Sequence, residues 1–428
     1  MASTKLTRTN GTPTNTKIMT FSFWFKIGTQ TNQQSLISSV EAASGGSYTD
    51  LKIMNAATHN NVFRFECKTT EGNYIDLKFN RSLRDTGAFY NIIIAVDTTQ
   101  VTDTNRVKIY VNGVQETSFA TATYPTQNHN LDFSKSGIIQ QVGAYENTSY
   151  WNGLMSYFTF VDGTAYDQSY FGEVDSSSGI WTIKTAPSVT YGNNGFLLKM
   201  DTSSPGTDTS GNSNTFTAAG TPTLAQDNAS NNLVTFNPLR PNSISQTYSN
   251  GNNTVIRTGT GGQMNGTQGV TSGKWYYECL IDDYWQYLGW TALSENTSQT
   301  ITCAEATSGF YGLYSNASAV LTYANGSQTS QGSYTAMASG QIWGIAFDAD
   351  NAKMYFSVNG VWENSSDPAN QTNPAMSSIP VTDFLVPAIG QGTGSRSSTI
   401  KMNFGNPFFS ISSGNTDANG YGNFEYEV

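Results

Sequence analysis

The stretch IAVDTTQVTDTNRVKIYVNGVQE, ending at Glu116, has a counterpart far along the chain in IAFDADNAKMYFSVNGVWE, ending at Glu363. Each runs from an apolar segment closing on an aspartate (Asp97, Asp348), through a polar loop, into alternating apolar residues and the turn Val-Asn-Gly-Val. Asn-Gly is the favoured pair for a two-residue type I′ turn, whose twist matches that of the strands it joins. Val107, Ile109 and Val111 alternate with Lys108 and Tyr110, and Met354, Phe356 and Val358 alternate with Lys353, Tyr355 and Ser357. A period of two marks a strand with one buried face. Each copy therefore predicts a three-stranded antiparallel meander. In a chain with 40 glycines a lone Asn-Gly means little. The shared order of strand, aspartate, loop, strand and turn argues for one architecture used twice.

The rest of the chain agrees. MTFSFWFKIG sets Phe21, Phe23 and Phe25 opposite Ser22, Trp24 and Lys26, and similar short strands recur between polar turns. No segment carries an amphipathic helical period; a single turn near DQSYFGEV follows Asp167 as N-cap. From about Asp162 to Pro238 turn chemistry dominates, although Trp181, Phe196, Leu197, Leu198 and Phe216 give that segment apolar anchors. The expectation is all-β: two antiparallel β-sandwich (jelly-roll) domains over residues 1–165 and 241–408, joined by an ordered, turn-rich connector over 166–240 that packs on the first. Residues 409–428 form a tail without a closing strand or cap signal.

At 428 residues, two domains are the natural expectation. A net charge of −10, with no basic stripe, argues against nucleic acid and against an anionic membrane surface. No apolar run reaches the roughly 20 residues of a membrane span. MASTKLTRTNGTPTN lacks the apolar core of a signal peptide. Cys67, Cys279 and Cys303 have no metal-like spacing. Cys67 shares a strand face with Phe63 and Phe65, and Cys279 alternates with Trp275 and Tyr277, so both read as small core residues suited to a reducing compartment.

At these motifs the chain becomes recognisable. FSFWFKIG, KIYVNGVQ and VGAYENTSYWNGLMSYFTFVDG resemble the concanavalin A-like, laminin-G-like lectin superfamily. GKWYYECLI, LGW, GFYGLY, IWGIAFDADNAKMYFSVNGVW and MNFG, in that order, resemble a SPRY domain. The pairing, with its connector, is similar to structural proteins of tailed bacteriophages, marine ones especially. That resemblance implies a virion component, fibre or capsid-decorating, made in a host cytoplasm and released by lysis. Its partners would be other virion proteins, further copies of itself and a host-surface glycan.

Catalysis finds little support. A glycosidase needs two carboxylates flanking the bond it cleaves. Glu173 and Asp175 in GEVDSSSG have the alternation, but Ser177 stands where a third acid would strengthen it. Glu278, Asp282 and Asp283 in YECLIDD include a residue, Glu278, that belongs to a strand motif. His59 and His129 lie in Asn-rich loops and pair with no nucleophile. The chain is therefore expected to be non-enzymatic.

For calcium, Asp208, Ser210, Asn212 and Asn214 alternate around Gly211, offering hard oxygen ligands; the competing reading is a polar turn held by Asx hydrogen bonds. For a glycan, aromatic rings must meet the sugar's C–H face while polar groups meet its hydroxyls. Asp283, Tyr284, Trp285 and Tyr287 offer that mixture, as do Tyr145, Asn147, Tyr150 and Trp151, although the latter also complete a strand and turn. Asn-x-Ser/Thr triplets at Asn80, Asn147 and Asn296 are expected by chance in this composition.

Overall fold

Both Asn-Gly pairs form the same turn. Asn112 and Gly113 have φ of 48° and 77°, and Asn359 and Gly360 have 49° and 80°, the paired positive values of type I′. In each copy the asparagine Oδ1 also accepts a backbone N–H from the start of the preceding strand, Asn91 at 2.8 Å and Ile342 at 3.0 Å. The computed structural model describes residues 4–28, 32–41, 46–69, 72, 74–201, 203–240, 245–259, 261–283, 285–294, 309–316, 319–391 and 396–427. Cys303 and Asn296 lie outside them.

The chain divides into two compact units, Met1–Asn232 and Leu233–Val428. In the first, one sheet orders its described strands Phe119–Thr123, Tyr74–Ser82, Val62–Lys68, Tyr48–Ile53, Gln34–Val40, Ile139–Val142, Lys5–Thr9 and Thr217–Ala219. The other runs Phe196–Leu198, Gly153–Asp162, Ile18–Ile27, Tyr90–Asp97, Val107–Val111 and Val114–Glu116. Every pairing is antiparallel. Between the sheets lies a phenylalanine core. Phe21 meets Phe133 and Phe160 at 4.7 and 5.1 Å, and Phe23 stacks on Phe158 at 5.0 Å.

Alternation along Ile18–Ile27 leads one to expect an open face with Ser22, Trp24 and Lys26. The structure buries that face too, leaving Trp24 4% and Lys26 2% exposed. The cause is the long turn-rich segment. Asp227 pairs with Lys26 at 2.9 Å, Ala229 N donates to Ser156 Oγ, and Trp181 Nε1 donates to Asn91 Oδ1. The turn after Asp167 is a short 3-10 helix, Gln168–Tyr170, with Asp167 Oδ1 accepting from Ser169 N at 2.9 Å. A single α-helical turn, Ala56–His59, was not legible as a period.

The second unit pairs the sheet Ser245–Ser249, Thr254–Gly259, Arg396–Asn403, Lys274–Ile281, Ile342–Asp348, Lys353–Val358 and Val361–Trp362 with the sheet Gln263–Asn265, Leu385–Gln391, Gln286–Ala292, Phe310–Ser315, Val320–Ala324 and Ser327–Ser330. Phe236 enters its core and Asn237 N donates to Asn265 O, so residues 233–240 belong with this unit rather than with the connector. The residues after 408 also pack here. Glu425 N and Tyr426 N donate to the two carboxylate oxygens of buried Glu278, at 3.0 and 2.9 Å. Cys67 and Cys279 are free and buried as expected, but Trp275, on the alternating positions of Cys279, stays 43% exposed.

Candidate functional site

On the face of the first unit's larger sheet that looks away from its core, charged residues stand at every second position. Asp50 and Lys52 come from Tyr48–Ile53, Arg64 and Glu66 from Val62–Lys68, and Asp76 from Tyr74–Ser82. Leu51, Phe65 and Leu77, between them, enter the core, as a two-residue repeat requires. Register sets Asp50 opposite Glu66, Glu66 opposite Asp76, and Lys52 opposite Arg64. Ser38 and Gln141 continue the row onto the next strands.

The row is tied together. Lys52 Nζ lies between Asp50, at 3.2 Å, and Glu66. Arg64 forks onto both oxygens of Asp76 at 2.8 Å and reaches Glu66 at 3.0 Å. Ser35 Oγ donates to Asp50 at 2.7 Å. Asp50, Lys52, Glu66 and Asp76 are all buried. Burial pushes the Asp50 carboxyl up, while Lys52 and Ser35 oppose it. Burial pulls Lys52 down, yet Asp50 and Glu66 outweigh it and hold the ammonium above its ordinary value. Gln141, also buried, has a side-chain oxygen that accepts no hydrogen bond among the described residues.

Along one side of this floor stand three half-buried tyrosines, Tyr48 and Tyr74 in register through Lys68. Tyr74 donates to Glu66 at 2.7 Å, and Tyr145 meets the ring of Tyr48 edge-on at 5.8 Å. Burial, then Glu146, pushes the Tyr145 hydroxyl up to about 12. It therefore stays protonated, a donor, across the neutral range. The result is an amphipathic rim over fixed hydrogen-bonding groups. Each of the three carboxylates is engaged by a cation or a hydroxyl.

Sequence reasoning missed Asp50, Lys52, Arg64, Glu66 and Asp76. Their signal was present: TDLKI, FRFECK and YIDLKF each alternate charged with apolar residues. Of the residues it singled out, the structure brings Tyr145 to the rim. Asn147 Oδ1 accepts from Lys5, Tyr150 is half-buried, and Trp151 packs edge-on against Phe25 at 5.5 Å, a core contact. In the second cluster Tyr284 lies outside the described residues. Tyr287 is buried and stacks on Tyr314 at 4.3 Å, Asp283 is buried and Trp285 half-buried. Tyr287 is thus a packing residue, because its strand's outer face carries an aromatic cluster with Phe310, Tyr314 and Tyr323.

The calcium candidates do come together, as a hydrogen-bonded turn. Asp208 accepts from Leu197 N, Ser210 N, Ser210 Oγ and Asn214 N. Asn212 and Asn214 turn their amide nitrogens onto the carbonyls of residues 192, 193 and 195, and Arg8 donates to Asn214 Oδ1 at 2.6 Å. Protein donors already occupy both Asp208 oxygens, Ser210 Oγ and Asn214 Oδ1. Glu173 is exposed and pairs with Lys184 at 3.6 Å, while Asp175 caps its own turn through Ser177 N and Ser178 N. His129 is buried beside Thr69, and His59 contacts Thr58.

Residues 2–169 match the family model of the Concanavalin A-like lectin/glucanases superfamily. No curated protein matches the chain. Among solved structures, the PSpry domain of TRIM65 is 16% identical, covering 40% of this chain and 91% of that one, with a TM-score of 0.29. The SPRY domain of human HERC1 is 17% identical over 41% of this chain and 99% of that one, with the same TM-score.

Proposed function

We propose that the chain is a non-enzymatic binding protein whose first unit holds a carbohydrate on the tyrosine-rimmed face of its larger sheet. The observation that carries this reading is the rim of Tyr48, Tyr74 and Tyr145 along one side of a row of fixed donors and acceptors. A sugar ring needs that pairing of amphipathic ring and oriented polar group. The match of this unit to a lectin-and-glucanase superfamily supports it. The ion-paired carboxylates favour binding over hydrolysis, since hydrolysis wants one carboxylate free to attack or to activate water. Screening the full chain on a glycan array tests the reading. Tyr145→Ala should weaken about tenfold a glycan held by the first unit, and capture of none by the intact chain refutes the reading.

We further propose that the molecule works in a virion, as a fibre or capsid-decorating component presenting this site to host-surface glycans, alongside other virion proteins and as a homo-oligomer. Support comes from the two sandwich motifs and their connector, which resemble phage structural proteins, and from the acidic charge. Mass spectrometry and imaging of intact particles test it: absence of the chain from purified virions sinks the placement. In that case a free lectin, a glycosidase-derived enzyme or a protein-binding adaptor takes its place.

A further inference from the structure

Trp275 breaks the alternation of its strand. It remains 43% exposed, yet its indole N–H is fixed, donating to Ser272 O at 2.7 Å. Beside it opens a cavity of about 240 Å³ whose walls include Trp275, Phe384 and Pro387, with Trp290 buried at 3% exposure. Phe384 is itself 52% exposed. Gln268 and Thr271 supply polar groups from the loop before Trp275. That loop lies close because Gly269 lacks a side chain: a Cβ there would stand 3.0 Å from Phe384 Cβ.

We propose that this cavity, in the second unit, is a separate site for one neutral saccharide ring. Four observations select that ligand. Below the roughly 300–1,000 Å³ of a drug-sized pocket, the volume suits a single ring rather than a chain segment. No lining residue is charged, although acids outnumber bases in this unit, so the ligand is uncharged. Trp275 offers a half-open aromatic face already held by its hydrogen bond, so little freedom is lost when a C–H face stacks on it. The indole N–H of Trp290 finds no acceptor among the described residues, a deficit that a ligand oxygen or a bridging water can fill. An extended proline-rich peptide, the other common guest of aromatic walls, needs a longer groove.

The proposal deepens the carbohydrate-binding reading and rests on it. The test uses the full chain, with methyl glycosides of neutral hexoses and N-acetylhexosamines as probes, read by saturation-transfer NMR and calorimetry. Trp275→Ala and Phe384→Ala should each weaken binding at least tenfold, Trp275→Phe should retain most of it, and Tyr145→Ala should leave this site unchanged. Both side chains are half-exposed, so the variants should melt near the parent temperature. Equal glycoside binding by the parent and both alanine variants refutes this cavity and leaves the general reading standing. Binding of a proline-rich peptide in place of every glycoside refutes the saccharide assignment. Failure of the parent to bind any probe or any arrayed glycan refutes both.

Discussion

Replacing Asp227 by alanine tests what holds the turn-rich segment onto the first unit. In the parent, Lys26 Nζ lies 2.9 Å from Asp227 Oδ2 and 3.0 Å from Asn232 Oδ1, with the Phe89 ring centroid at 5.8 Å. Side-chain exposure is 2% for the lysine and 0% for the aspartate. Removing one partner of a buried pair costs about 3–5 kcal/mol, because the other charge is stranded away from water. Here the amide oxygen and the ring remain and the lysine can shed its proton, so the lower end, about 3 kcal/mol, is expected. That escape fixes the sign of the pH dependence. Burial already holds the Lys26 pKa below 10.5, with Asp227 opposing, and losing Asp227 lowers it further. Between the lowered value and 10.5 the unfolded chain binds a proton that the folded chain does not, so the variant's stability rises with pH across that window. Native-state hydrogen exchange of the Ile18–Ile27 strand, near neutral pH and again near the top of the window, reads both effects. Lys26→Met with Asp227→Leu should recover most of the loss. A cost under about 1 kcal/mol, or one indifferent to pH, would refute the reasoning.

Three further outcomes follow from single contacts. Gly113→Ala should cost about 2–4 kcal/mol in chemical denaturation, from a left-handed backbone and a clash with the Trp181 ring; Trp181→Ala in the same chain should return the steric part and not the rest. Glu278→Ala strands Glu425 N and Tyr426 N and removes one of the two acceptors of the Asn403 amide, so about 3 kcal/mol should be lost and those two backbone amides should exchange freely. Burial raises the Glu278 pKa, so its contribution is complete below 4.5 and is lost as pH rises through the raised value; Glu278→Gln should flatten that part of the profile. Neither calcium nor a chelator should move the melting midpoint, whereas Asp208→Asn, which turns a donor onto Leu197 N–H or Asn214 N–H, should lower it by about 3 °C.

The fold was legible wherever local chemistry decides it. Asn112-Gly113 and Asn359-Gly360 specify their turns by themselves, because few other pairs accept two successive positive φ values. Phe21, Phe23 and Phe25 declare a strand and its inner face. What alternation cannot say is whether the outer face stays open. Lys26 reads as a solvated residue until a segment some two hundred positions away covers it. The site was hidden for the opposite reason. Asp50, Glu66 and Asp76 look like ordinary polar-face residues one strand at a time, and only register across three strands makes them a row. Tyr287 failed as a candidate because aromatic composition does not distinguish a ring that stacks on a neighbour from one that faces solvent.

The twin turns show how far the repetition goes. In each unit an aromatic ring from a later segment lies over the turn glycine, Trp181 over Gly113 and Tyr426 over Gly360. Each ring's segment is in turn fixed by a buried polar residue of a neighbouring strand, Asn91 for Trp181 and Glu278 for Tyr426. A glycine at the tip of a type I′ hairpin both permits the turn and leaves room for a ring to close over it. In these motifs the asparagine Oδ1 and the glycine are therefore used by the architecture itself. The proposed recognition rests instead on residues whose neighbours stop short of covering them. In the first unit the half-buried rings of Tyr48, Tyr74 and Tyr145 are of this kind, and in the second the open faces of Trp275 and Phe384.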